Sequence, residues 1–491
     1  MDDLEKTKRP FPALWLAATL VLCVLFVGAS VPRAAAQGGE QDSEKYASII
    51  QNIFEFIQQR YVEEVDPQKL YEGAMDGMFK ALGDPYTAFL PESEMSDLND
   101  TTQGNFGGVG LYITKPVSAR PDGRPPYVEV ASPMEDTPGW RAGINPGDLI
   151  IAINDEATDT LSMDEVLSRL RGTPGMEVKL LIRRGEKLEF PVTLTRAIIE
   201  VPTVKYEMID SVGYLKLLTF TPMSVDRTRE ALEEFERKNY AGLILDLRNN
   251  YGGLLNSAVG VSDLFLEGGV VVSTKSRIPS ENRVFTARRG ALVSPQIPIV
   301  VLINRGSASA SEIVAGALKD RGRAFLVGEK SYGKGSVQQV YPLDKSGFRI
   351  TTARYYTPSD ANIDKIGIPP DREVLFPEFS DEDAEKLNAL IADNRIPEFV
   401  ESHAEADAEA VEAFAQELNG EYHIDLSLLR RLIRNEQNRT SVAPVYDLEY
   451  DVQLQEAVNI LKDGNYSRLM QATKTLRELQ SEAALEDALA S

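Results

Sequence analysis

The sequence predicts an α/β protein. Three observations carry that reading: apolar, β-branched runs alternate with helical stripes from Val201 onward, short strands and glycine turns fill residues 104–196, and both ends carry the apolar period of helices. At 491 residues, with 43% hydrophobic and 26% charged side chains, the chain has globular composition and room for about two to four domains. A formal net charge of −23 argues against a nucleic-acid partner, because a polyanion would be repelled.

The first residues stand apart. Lys6, Lys8 and Arg9 precede the apolar run 14–27, and Ala34, Ala35 and Ala36 offer a small-residue cleavage site. Residues 1–36 therefore read as a secretory signal or, since residues 11–30 are close to bilayer-spanning length, as an uncleaved membrane anchor. Either form exports the chain to an extracytoplasmic or periplasmic location, in the second case attached to the inner membrane. Cys23, the sole cysteine, lies inside this segment. The remainder has no disulfide, no thiol nucleophile and no cysteine metal site, and no metal or cofactor is expected.

Residues 43–59 carry Tyr46, Ile49, Ile50, Ile53, Phe54 and Ile57 at helical spacing, and residues 69–82 read as a second helix ending at Gly83. Such helices could pack on the core or join two copies in a homodimer. Asp84, Pro85, Tyr86 and Thr87 then mark a turn. From Gly104 the pattern becomes a glycine-rich bend (Phe106 to Leu111), a strand at 149–154, a helix at 163–171 and a strand at 177–183. This stretch resembles a PDZ domain. The resemblance implies that Gly108, Val109, Gly110 and Leu111 form the loop whose backbone N–H groups hold a peptide's terminal carboxylate, the tail adding as a strand. The proline-bearing loop 115–127 is longer than that family leads one to expect.

Strand and helix then alternate: a strand at 212–217, a helix at 225–238, a buried strand at 241–247, and Arg248, Asn249, Asn250, Tyr251, Gly252 and Gly253 leading into an apolar helix. Two glycines there let backbone N–H groups approach another group closely. They serve one half of an oxyanion hole, or only a tight turn. Next, the apolar run 297–303 and the helical stripe Ile313, Val314, Ala317, Leu318 enclose Gly306, Ser307, Ala308, Ser309, Ala310, Ser311 and Glu312. A hydroxyl at a helix N-terminus sits among unpaired N–H groups, a setting that suits an acyl-transfer nucleophile and equally an ordinary N-cap.

His403 and His423 both lie in the charged C-terminal quarter. If Ser309 is catalytic, a partly desolvated lysine is the realistic base. Lys334 sits between Gly333 and Gly335, an odd setting for a solvated lysine, and Gln338 lies four residues on, sharing its face in an extended segment. From residue 379 the composition turns to Ala, Glu, Asp and Leu, with helices at 381–392, 408–418, 426–434 and 451–461 and a carboxylate-dense stretch at 400–409 that reads as a solvated face.

Taken jointly, residues 43–370 resemble the carboxy-terminal processing (tail-specific) proteases, serine peptidases with a Ser/Lys dyad. The residues that carry this are Ser307 to Glu312, Gly328 to Gln338, Asp246, Leu247 and Arg248 with Gly252 and Gly253, the turn 83–87 and the run 351–358. The resemblance implies a crotonase-like protease core (197–378) with an inserted PDZ domain (104–196), an N-terminal helical region with the start of the core (37–103) and a C-terminal helical region (379–491). It puts the nucleophile on Ser309, the base on Lys334, the residue orienting that base on Gln338, and the oxyanion hole on the N–H groups of Gly252 and Ala310. Its partners would be proteins with free C-terminal tails. Tyr251 departs from the family's usual proline. An exported PDZ adaptor with an inactive core, and an acyl-thioester enzyme on a crotonase-like core, fit many of the same residues.

Overall fold

The computed structural model describes residues 40–95, 98, 104–116, 125–185, 187–376, 380–403, 406–439 and 444–490. The signal or anchor reading of residues 1–36 and most of the loop 115–127 lie outside them. Among the described residues, no helix is long and apolar enough to cross a membrane.

The chain divides into two compact units, residues 1–81 and 82–491. In the first, α1 (Glu40–Arg60) and α2 (Pro67–Lys80) are the expected helices. Pro67 opens α2 behind Asp66, whose carboxylate accepts from Gln68 N–H (2.9 Å). Ile50, Ile53, Phe54 and Ile57 of α1 and Leu70 of α2 line a shared apolar cleft, yet Ile49, Ile50 and Ile53 stay exposed.

The second unit opens with β1 (Ala88–Leu90) and β2 (Asn105–Gly108). A PDZ-like domain follows: β3 (Leu111–Thr114), β4 (Val128–Pro133), α3 (Pro138–Arg141), β5 (Leu149–Ile153), β6 (Glu156–Ala157), α4 (Met163–Leu170), β7 (Glu177–Arg184) and β8 (Leu188–Thr195). Its sheet has the order β3-β4-β5-β7-β8. Alternate residues Val178, Leu180 and Ile182 point into one core with Val128, Val130, Ile150 and Val166. A reciprocal capping box between Ser162 and Glu165 starts α4. Residues 197–200 form β9 (Ala197–Glu200), antiparallel to β2 with Ile199 opposite Phe106. The domain is therefore joined to the rest by a two-stranded ribbon.

The central sheet contains β10 (Val204–Ile209), β11 (Val212–Leu217), β12 (Gly242–Asp246), β15 (Ile299–Ile303), β16 (Phe325–Gly328) and β19 (Arg372–Glu373), in that order; only β10 runs antiparallel. Leu243, Leu245, Val301 and Ile303 face a core closed by α5 (Ser224–Arg237), α6 (Leu255–Asp263) and α7 (Ala310–Asp320). Their neighbours Ile244, Val300 and Leu302 face the other way, where Leu454, Ala457 and Val458 of a late helix cover them. Burial on both faces explains why these strands read as unbroken apolar runs.

A second, antiparallel sheet combines β1 with β13 (Gly269–Ser276), β14 (Arg283–Ala287), β17 (Ser336–Leu343) and β18 (Ser346–Tyr356). β18 pairs with β1, β13 and β17. The C-terminal region is helical, as expected, but splits in two. Helices α8 (Asp381–Ala392), α9 (Arg395–Ser402), α10 (Ala408–Tyr422) and α11 (Leu426–Arg439) share their own apolar cluster, where His403 stacks on Phe399 (4.8 Å). Helices α12 (Val452–Lys462), α13 (Tyr466–Gln471) and α14 (Leu476–Ala490) return to the central sheet.

Candidate active site

Three loops leave the carboxyl ends of the parallel strands β12, β15 and β16, where open α/β sheets form their crevices. They carry Gly252, Ser309 and Lys334. Hydroxyls stitch the first two together: Ser307 Oγ donates to Leu247 O (2.8 Å) and Ser311 Oγ to Asn250 O (2.7 Å). Ser309, between them, is the one of the three whose proton is not donated to a carbonyl of that loop.

The backbone of Ser309 has φ +55° and ψ −112°, unlike the extended conformation of an ordinary N-cap. A left-handed φ at a non-glycine residue costs on the order of 1–3 kcal/mol and is held here by hydrogen bonds. Ser309 N–H donates to Glu312 Oε2 (2.9 Å), and Lys334 N–H donates to the same atom (2.8 Å). Glu312 Oε1 accepts from Ser331 Oγ (2.6 Å) and Gly333 N–H (2.7 Å). One fully buried carboxylate thus clamps the turn bearing Ser309 to the turn bearing Lys334. Burial pushes the Glu312 carboxyl up, against the pull of these donors.

The glycines beside Lys334 are required by close backbone approach. A Cβ on Gly335 would sit 2.3 Å from Asp364 N, and one on Gly333 3.0 Å from Gly367 N, so they admit the 363–367 loop. The Lys334 side chain is half-buried, and its Nζ lies 4.9 Å from the centre of the Tyr86 ring, within cation–π range. No hydrogen bond joins it to the Ser309 hydroxyl. Burial first, then the nearby Arg349, hold the Lys334 amine below the ordinary lysine value, while Asp84 and Glu312 draw it back up.

Gln338, on β17, uses its Nε2 to reach Ser336 Oγ (2.8 Å) and Thr351 Oγ1 (3.2 Å). Its carbonyl oxygen is the atom left to accept from an amine. At Gly252 (φ +105°), a Cβ would come within 2.8 Å of Ser309 Cβ and 3.0 Å of Ala310 N; only glycine permits that approach. Its N–H donates to Asn250 Oδ1 (2.9 Å). Ala310 opens α7, so its N–H has no acceptor within the helix. In the PDZ-like domain, Gly108, Val109, Gly110 and Leu111 line one end of a groove of about 300 Å³. Ile113, Met163, Leu167 and Leu170 supply apolar walls between β3 and α4.

The profile of peptidase family S41 matches residues 211–374, that of a PDZ domain residues 129–184, and that of the activating protease CtpB N-terminal domain residues 28–93. A carboxy-terminal-processing protease of Bartonella bacilliformis is 39% identical over 362 residues, 72% of this chain and 81% of that protein. The carboxy-terminal processing protease CtpB of Bacillus subtilis is 33% identical over 358 residues, 72% of each chain. The chain belongs to the carboxy-terminal processing protease family. It is a serine peptidase of family S41 with a PDZ domain. A solved structure, the photosystem II D1 C-terminal processing protease, aligns at 29% identity and a TM-score of 0.40, over 67% of this chain and 92% of that one.

The protease also has site residues that the sequence left without a role. Glu312 is one. The turn 84–87 is another, brought in because β1 pairs with β18. Asp84 Oδ2 accepts from Thr87 Oγ1 and Thr351 Oγ1 (2.6 Å each). Against burial, these bonds hold the Asp84 carboxyl below its ordinary value. Tyr86 bonds to Tyr332, the largest cause of a hydroxyl pushed up to about 12. Asp451 is the third: with Asp246 it grips the buried Arg248 guanidinium (2.6 and 2.7 Å), four residues before Gly252. The exposed ring of Tyr251, beside Gly252, makes no such bond.

Proposed function

We propose that this protease cuts peptide bonds near the C-terminus of its substrates through Ser309 and Lys334. The observation that carries the reading is the shared Glu312 oxygen, which sets the nucleophile's turn and the base's turn side by side. Neutral Lys334 takes the proton of Ser309 Oγ as that oxygen attacks the scissile carbonyl. The C–N bond then breaks, and Lys334 returns the proton to the leaving amine. Water, deprotonated by the same amine, hydrolyses the acyl ester and frees Ser309. The developing oxyanion would take the N–H groups of Ala310 and Gly252, each worth about 3 kcal/mol in comparable sites. Two small rearrangements go with the reaction: Lys334 leaves the Tyr86 ring for Ser309, and the Gly252 N–H leaves Asn250. The Gln338 carbonyl then steadies the amine.

The substrate's free tail adds beside β3, its carboxylate at the Gly108–Leu111 loop and its terminal side chain against Leu167 and Leu170. On this reading the core is crotonase-like. The chain is exported by residues 1–36, as signal or anchor, and the exposed stripe of α1 supports contact with a second copy. Incubating an unstructured tail peptide with the native chain and with Ser309→Ala tests the chemistry: only the native chain should shorten it, and cleavage by the variant would refute the assignment.

A further inference from the structure

Arg349 lies on β18 opposite Val340 of β17 and two residues from Thr351. Alternation along a strand puts Arg349 and Thr351 on one face. That face includes Gln338 across the ladder, whose amide reaches Thr351 Oγ1. It is the face that Asp84 and the Lys334 loop close over, since Asp84 also takes the Thr351 hydroxyl. Among the described residues the Arg349 side chain has no hydrogen bond and no ion pair, and its Nε is sealed from solvent without a partner. A guanidinium whose Nε is sealed without an acceptor is costly, and the turn whose Asp84 takes the Thr351 hydroxyl also carries Tyr86, over whose ring the Lys334 amine lies.

The groups facing Lys334 come from five elements. The turn before β1 gives Asp84 and Tyr86, and the Lys334 loop gives Tyr332. Helix α7 gives Glu312, the 363–367 loop gives Asp364 and β18 gives Arg349. Glu312 is saturated by four donors. Asp364 is paired with Arg354 (3.2 Å), and Asp84 is held by two hydroxyls and the Tyr86 N–H. Among the described residues, neither Arg349 nor Lys334 has a carboxylate counter-ion, so the two charges face each other uncompensated.

We propose that Arg349 is a positioning residue for the base: its unpaired charge keeps Lys334 in the unprotonated form that can accept the Ser309 proton, with Asp84 acting in opposition. Two nearby cations repel, which favours the neutral form of the lysine, the one of the two that can give up a proton. After burial, Arg349 is the largest influence lowering the Lys334 amine, and Asp84 the largest raising it.

This inference rests on the assignment of Lys334 as base. The test is kcat/KM against pH for the full chain on a tail peptide. Arg349→Gln should move the acid limb to higher pH while keeping the high-pH plateau, each unit of displacement reading as about a tenfold loss at a fixed pH on the limb. Arg349→Lys should return the limb to its native place, and Asp84→Asn should move it to lower pH. Arg349→Met, which also removes the charge, should repeat the alkaline displacement and serves if the glutamine variant does not fold. An unmoved limb in the charge-removing variants overturns the proposal. So does a loss equal at every pH, the mark of a structural arginine, or a rise in KM alone, the mark of a substrate contact. Lys334→Ala separates the two failures. If that variant still cleaves, the base assignment falls and this inference with it; if it is inactive while the Arg349 limb stays put, only this inference falls.

Discussion

Glu312 makes the residue scale concrete, because four donors from two loops converge on one buried carboxylate. An amide in its place would aim N–H groups at N–H donors. Glu312→Gln should therefore lose about 1–3 kcal/mol for each donor left without an acceptor, read by urea unfolding, and kcat should fall more than KM rises. The sign of the pH dependence follows from Lys334. A protonated amine cannot accept the serine proton, so kcat/KM should fall as pH drops through the Lys334 pKa. Burial places that midpoint below the ordinary lysine value, which is about 10.4. The turn bearing Ser309 was legible because strand, small-residue turn and helix are contiguous in sequence. Glu312 was not: a lone acid in a first helical turn reads as a dipole partner, and its bonds run to residues 331, 333 and 334, which no local spacing reveals.

At the scale of elements, the loop bearing Gly252 is anchored from a distance. Arg248 is held by Asp246 and, more than two hundred residues away in sequence, by Asp451 and Gln453 at the start of α12. Asp451 also caps that helix through Leu454 N–H (2.9 Å). Asp451→Ala should remove the cap, about 1 kcal/mol, and the Asp451 bonds to Arg248, about 1.5–3 kcal/mol for hydrogen bonds to a charged group, while Asp246 still balances the guanidinium. Urea unfolding reads the cost, and activity should fall as the Gly252 loop loosens. The apolar stripe of α12 was visible in the sequence, and the runs of β12 and β15 demanded cover on two faces. That one covers the other was not visible, since nothing local links them. The antiparallel sheet of β13, β14, β17 and β18 also escaped, because its strands are only partly buried and lack a clean apolar alternation.

Over the whole molecule, the β2–β9 ribbon joins the PDZ domain to the core, and capture of the tail should govern which proteins are cut. A substrate with a free C-terminus should be cleaved with a higher kcat/KM than its amidated twin, mainly through KM; equal values would remove carboxylate capture from the account. Domain order and the PDZ pattern were legible because glycine turns and short strands contrast with the long apolar runs of the core. The ribbon was not, because four residues beside Pro202 give too short a signal.

Digestion of one tail peptide by the native chain, by Ser309→Ala and by Lys334→Ala, followed by intact mass spectrometry, is the most direct test. The native chain should release a C-terminal fragment and both variants should leave the peptide whole. Shortening of the peptide by either variant at the native rate would contradict the account.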